Sequence, residues 1–253
     1  MTTRGWLLRI LLCSVAACGA AEEEDGVASG DEAVVHGKRD SGRHPAVVAL
    51  RVGDGELCTG ALVSPRAVLT ARHCVSVTTP QVNCADPRGQ VLADRAPSSL
   101  AVVTDEDGLH GAVAARGLRV VVPSTRTLCG ADVALVLLDR AVTGIAPLAL
   151  AESAPAVGDT LTVVGYGRRG DTARAGVGVR YMRGGVPVLQ VGARELVSGE
   201  GTCSGDSGSP ALDARTGRIV GVLSRGPARC SDADAAFLWT RASEALALLD
   251  AAR

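Results

Sequence analysis

From Pro45 onward the sequence is cut into short apolar runs by glycine, proline and small polar residues, and this punctuation constrains the fold more than any other feature. PAVVALRV (45–52) and ELCTGALVS (56–64) are separated by GDG, a turn signal that favours a hairpin. RAVLTA (66–71), LRVVVP (118–123), DVALVLL (132–138), DTLTVVGYG (159–167), VPVLQV (186–191) and RIVGVLS (218–224) are β-rich runs of the same kind. Many short strands with this spacing predict an all-β sandwich or a pair of barrels. Only ASEALALLDAA has helical spacing, with Leu246 and Leu249 three apart and Ala242 four before Leu246. Residues 84–117 lack a pattern and read as a long loop, and no internal repeat is evident.

A chain of 253 residues can bury a sizeable core in one large domain or two small ones. Aromatics are only 2 %, so valine, leucine and alanine must fill that core. Residues 34–253 carry 24 basic and 21 acidic side chains, and Lys38 is the single lysine. Dispersed arginines of this kind do not make a nucleic-acid surface.

The N-terminus reads as an export signal over residues 1–18: basic MTTRGWLLR, then a short apolar ILLCSVAA. That apolar run is too short for a permanent membrane helix, and no later run reaches spanning length. VAAC (15–18) is similar to a bacterial lipobox, which would lipidate Cys18 and make it the only membrane contact; the alternative is an ordinary signal cut after Ala20 or Ala21. Residues 19–33 are acidic and patternless, as in a solvated tether or propeptide. Either route places the chain outside the cytoplasm. The remaining cysteines, Cys58, Cys74, Cys84, Cys129, Cys203 and Cys230, are even in number and contain no Cys-x-x-Cys pair, which argues for disulfides rather than a metal site. The sequence alone leaves their connectivity open.

Three stretches fit together: VLTARHC with His73, DVALVLL with Asp132, and GDSGSP with Ser207. In this order and with these surroundings the chain resembles the chymotrypsin/trypsin family of serine proteases over nearly all of residues 34–253. VVHG (34–37), CTGALVS (58–64), GYG (165–167), GVLSRG (221–226) and WTR (239–241) extend the match. The resemblance implies two packed six-stranded antiparallel β-barrels, about 34–145 and about 146–240, with a C-terminal helix at 241–252. It implies a monomeric serine endopeptidase acting on protein or peptide substrates through an acyl-enzyme, with no cofactor. The alternative reading is a weak or inactive binding module built on the same fold.

The implied chemistry accounts for the residue types. A serine hydroxyl needs a base, and His73 would take the Ser207 proton and return it to the leaving amine. Asp132 would fix the imidazole tautomer, and the backbone N–H groups of Gly205 and Ser207 would receive the oxyanion. Ser224 matches the family serine that supports the aspartate, and Ser224–Gly226 would pair with substrate backbone. The resemblance also implies the pairs Cys58–Cys74 and Cys203–Cys230, leaving Cys84 with Cys129. Cleavage after Ala33 would free the Val34 ammonium to pair with Asp206 and switch a zymogen on.

Departures from the family concern specificity. Gly201 stands where the trypsin branch has an aspartate at the pocket base, and Phe237 falls where a wall glycine is usual. Together they predict a short pocket for alanine, valine or another small side chain. Arg225 replaces a tryptophan of the substrate strand, Arg72 a small residue beside His73, and Tyr166 a tryptophan. DEDG (105–108) reads as a solvated turn rather than a calcium loop, and His36, His44 and His110 as surface residues.

Overall fold

Runs of valine and leucine too short for a layered helical core must be covered by another sheet or by their own, and here two sheets close on themselves. The computed structural model describes residues 1–2, 34–53, 55–86, 88–171, 177–230, 232 and 234–252. The expected signal, the Cys18 lipid site and the acidic tether fall on residues 3–33, outside the described residues. Among the described residues no helix is long and apolar enough to cross a membrane.

The first half contains β1 (Lys38–Arg39), β2 (Val47–Val52), β3 (Glu56–Ser64), β4 (Ala67–Thr70), β5 (Ser76–Thr78), β6 (Val91–Asp94), β7 (Leu100–Val103), β8 (Val113–Val121) and β9 (Ala134–Leu138). The second contains β10 (Thr160–Gly165), β11 (Tyr181–Val191), β12 (Glu195–Ser198), β13 (Pro210–Asp213), β14 (Ile219–Arg225) and β15 (Phe237–Arg241), followed by a 3-10 turn and the helix α1 (Leu246–Ala251). Strands β2-β3-β4-β9-β8-β7 form one closed antiparallel barrel. Strands β10-β13-β14-β15-β12 and β11 form the other, closed by the β11–β12 pairing. The β2–β3 hairpin runs in register from Val47↔Ala61 to Val52↔Glu56, and Gly53 and Gly55 supply the positive φ its turn requires.

The core is aliphatic, as the composition requires: Leu50, Leu62, Leu69, Leu100, Leu135 and Leu138 fill the first barrel, all fully buried. The few described aromatics are spent inside, with Trp239, Tyr166, Phe237 and Tyr181 all buried.

Three readings need correction. Residues 84–117 are not one loop, since β6, β7 and the start of β8 lie within them and β7 completes the first barrel. LAVV at 100–103 is a fully buried four-residue strand, too short to show alternation between its proline-serine and acidic flanks. Residues 34–39, assigned to the first barrel, associate with the second: β1 pairs with β11, and Val34 and Val35 pack in the second barrel's core. Finally, His44 is no free surface residue: its Nδ1 lies 2.5 Å from the buried Asp40. DEDG is a turn, closed by Asp107 accepting the Leu109 and His110 N–H groups at 3.1 and 2.9 Å.

Asp40 belongs to a buried polar knot. Arg180 donates to it at 3.0 Å, and to Val47 O, Thr104 O and the Tyr166 hydroxyl at 3.1, 3.2 and 2.9 Å. Burial pushes the Tyr166 phenol up to about 12, so it stays a neutral donor to the Asp105 carbonyl at 2.8 Å. Arg180→Ala leaves the Asp40 charge and several buried acceptors without this cation. The expected loss is about 3–5 kcal/mol of unfolding free energy, read by urea denaturation; a loss below about 1 kcal/mol contradicts this account of the knot.

Candidate active site

Thr70 ends β4 and a single 3-10 turn, Arg72–Val75, follows, so His73 stands just past the end of a barrel strand. The Cys58–Cys74 disulfide ties that turn to β3. Asp132 lies two residues before β9, whose register with β4 pairs Thr70 with Ala134 and so brings the two segments together. The carboxylate meets His73 twice: Oδ1 accepts the His73 backbone N–H at 2.9 Å, and Oδ2 lies 2.8 Å from Nδ1. Ser224, near the end of β14, donates its hydroxyl to the same Oδ2 at 2.6 Å. Asp132 is fully buried, and its acceptor oxygens hold the proton on Nδ1, leaving Nε2 as the free lone pair. Burial alone would lower the His73 pKa, but the Asp132 charge and hydrogen bond, with help from Glu56, set it above the ordinary value.

Ser207 comes from the second barrel and docks on the first. Its carbonyl accepts the Thr59 N–H of β3 at 2.8 Å and lies 3.6 Å from Cys74 Sγ, the neighbour of His73. Gly208 makes that approach possible: it has φ +83, and a Cβ there would meet Thr70 Oγ1 and Thr59 O at 2.2 and 2.3 Å. Gly205 has φ +99 and sits against Gly167. Within this turn the Asp206, Gly208 and Ser209 N–H groups bind the Cys203, Leu223 and Asp206 carbonyls at 3.0, 3.0 and 2.8 Å. Among the described residues, the Gly205 and Ser207 N–H groups donate to no protein acceptor.

Asp206 is fully buried, with Oδ1 accepting from Gly167 at 2.8 Å and Oδ2 from Cys203 at 2.9 Å. Glycines at 165 and 167 are needed here, because a Cβ at either would meet the carboxylate at 2.1 or 2.6 Å. That role of the GYG segment was invisible in the sequence. Among the described residues no cation pairs with Asp206. Burial, opposed by the two N–H groups, pushes its pKa up to about 7. Val34 and Val35 are buried in the same barrel, where Arg183 donates to the Val35 carbonyl at 2.8 Å and pairs with Glu200 at 3.1 Å.

A cavity of about 150 Å3 opens beside Ser207 and is lined by Cys203, Ser224, Arg225, Gly226 and Phe237 among others. The Cys203–Cys230 disulfide braces it. The Phe237 ring lies against Gly226, where a Cβ would come within 2.3 Å of it. Gly201, expected at the pocket base, does not line this cavity; it is buried against Val186 and Val163. A larger groove of about 300 Å3 among Glu152, Asp213 and Arg218 holds none of these groups. Cys58 and Cys74 beside His73, and Cys203 and Cys230 beside Asp171, are crowded enough to suggest metal ligands, but all four sulfurs are bonded in disulfides. The third disulfide, Cys84–Cys129, anchors the segment leading to Asp132.

Glu195 is another residue near the site that the sequence did not reveal. It grips Arg225 in a two-pronged ion pair at 2.7 and 3.1 Å, and nothing in a lone acid at the start of a strand signals that.

A family model described as Trypsin matches residues 33–248. The chain is 30 % identical to a cercarial protease of Schistosoma mansoni over 73 % of this chain and 77 % of that protein. It is 27 % identical to the thrombin-like enzyme bhalternin of Bothrops alternatus, covering 86 % and 84 %. It is 26 % identical to trypsin alpha-4 of Lucilia cuprina, covering 86 % and 87 %. With both barrels closed and a family match across nearly the whole described body, this chain belongs to the trypsin family of serine proteases.

Proposed function

We propose that the protein is a serine endopeptidase in which Ser207 attacks a peptide carbonyl with His73 as base and Asp132 as its orienter. The observation that carries this reading is the fixed imidazole: Asp132, itself held by Ser224, fixes the ring while the Ser207 turn docks on the strand and turn beside it. The Gly205 and Ser207 N–H groups, which donate to no acceptor among the described residues, supply a site for the oxyanion. The C–N bond then breaks as His73 passes the serine proton to the leaving amine, and the acyl-enzyme left on Ser207 is released by water that His73 activates.

The reading extends to activation and place of action. Cleavage after Ala33 frees the Val34 ammonium, and Asp206, buried without a cation partner among the described residues, is the group it would neutralise. Three disulfides suit work outside the cytoplasm. Export through residues 1–18, a lipid on Cys18, the tether at 19–33 and a monomeric state remain parts of the proposal, tested by intact-mass and light-scattering measurements on the exported protein.

The small cavity under Phe237 makes small side chains the preferred residues before the cut. Peptide esters ending in Ala, Phe or Arg test both points at once. The Ala ester is expected to give a burst of one equivalent of alcohol, and Phe237→Gly to raise relative turnover of the Phe ester by about tenfold or more. Absence of hydrolysis with all three esters overturns the endopeptidase reading; an Arg preference overturns the small pocket alone.

A further inference from the structure

Arg225 stands where its side chain meets the aspartate's hydrogen-bond partner. Its Nη1 donates to Ser224 Oγ at 3.2 Å, and that hydroxyl donates to Asp132 at 2.6 Å. A hydroxyl has one proton, so a donor on its lone pair keeps the proton on the Asp132 side. Glu195 holds the guanidinium through both carboxylate oxygens, and its Oε1 also accepts the Gly130 N–H at 2.9 Å, two residues before Asp132. The frame is stiff, since Glu195 pairs with Thr240 and Arg225 with Leu238, both on β15.

We infer that Arg225 and Glu195 form a positioning pair for Asp132, extending the His73–Asp132–Ser224 chain by two charged residues and setting the basicity of His73. The inference rests on the reading of His73 as base. Arg225 contacts Asp132 only through Ser224, so it is a positioning residue. Because the pair is neutral, either single neutralisation leaves a net charge near Asp132. The other charges facing these groups are Arg72, paired with Asp94 at 2.6 Å, and Glu56 beside His73. On the outer side Asp232 and Asp234 line a groove with Arg225.

The signs follow. Arg225→Met removes a cation and leaves the Glu195 anion, which favours imidazolium and raises the His73 pKa. Glu195→Gln leaves the cation and lowers it. The two single variants are expected to move the His73 titration in opposite directions by about half a unit each, and the double variant to return near the parent. Each single variant also loses about tenfold in kcat, and for Glu195→Gln, at a residue that does not line the cavity, KM stays nearly unchanged. Arg225→Lys keeps the charge but not the fork, so its titration stays near the parent while kcat recovers only in part. The His73 imidazole is followed by NMR on histidine-labelled protein, with the acid limb of kcat/KM measured alongside. Opposite shifts support the inference. Shifts in the same direction, or none, overturn it, including where kcat falls. Because the NMR titration needs no turnover, an inactive parent enzyme sinks the endopeptidase reading and still leaves this one decided.

Discussion

Asp132→Asn is expected to lower kcat by about 10^4-fold near neutral pH while leaving KM almost unchanged; this is the loss the same replacement causes in a well-studied member of this family. The contacts show why so small a change matters. Oδ1 accepts from the His73 backbone, while Oδ2 accepts from His73 Nδ1 and from Ser224. An asparagine has one acceptor and one donor, so one of these faces becomes donor against donor. If its NH2 faces the ring, Nδ1 must become the acceptor and the proton moves to Nε2, where the base is needed. Circular dichroism and peptide kinetics separate this from unfolding. A variant folded like the parent and within tenfold of its kcat contradicts the role given to Asp132.

The second large effect concerns residue 34. Protein with the 33–34 bond intact is expected to be about 10^3-fold less active than protein beginning at Val34, since an unneutralised buried carboxylate costs about 3–5 kcal/mol. The pH dependence has a definite sign. In the uncleaved chain Asp206 has a pKa near 7, above its ordinary 3.8, so the folded state binds more protons than the unfolded state between these values. Stability of the uncleaved form therefore falls as pH rises from about 4 to about 7. In the cleaved form the ammonium's contribution is complete below its free pKa of about 8 and fades as pH climbs through its raised value. Melting temperatures of the two forms, both carrying Ser207→Ala to prevent digestion, should diverge over that window. Equal activity of the two forms, or parallel melting curves, contradicts the zymogen mechanism.

Much of the architecture was legible because the strands that build it are long or strongly apolar: VVALRV and ELCTGALVS announced a hairpin that forms in register. Short buried strands were not legible. LAVV at 100–103 is covered on both faces, so it has no alternation to read, and PALD at 210–213 is hidden directly behind the serine turn. The candidate site divides in the same way. His73, Asp132 and Ser207 stood out through their neighbours in sequence; Asp132 meets His73, and the Ser207 carbonyl reaches Thr59 and Cys74. Glu195, Thr59 and the two glycines around Asp206 act through partners tens of residues away, for which a single sequence gives no local signal. Phe237 lines the cavity beside Ser207, whereas Gly201, read as the pocket base, packs instead against Val186 and Val163.

The central claim is that one alcohol is made nucleophilic by one imidazole. Incubation of the form beginning at Val34 with a serine-directed phosphonate, followed by peptide mapping, tests it most directly. A single adduct on Ser207 that His73→Ala abolishes is the result expected here. Adducts elsewhere, or undiminished labelling without the imidazole, would contradict it.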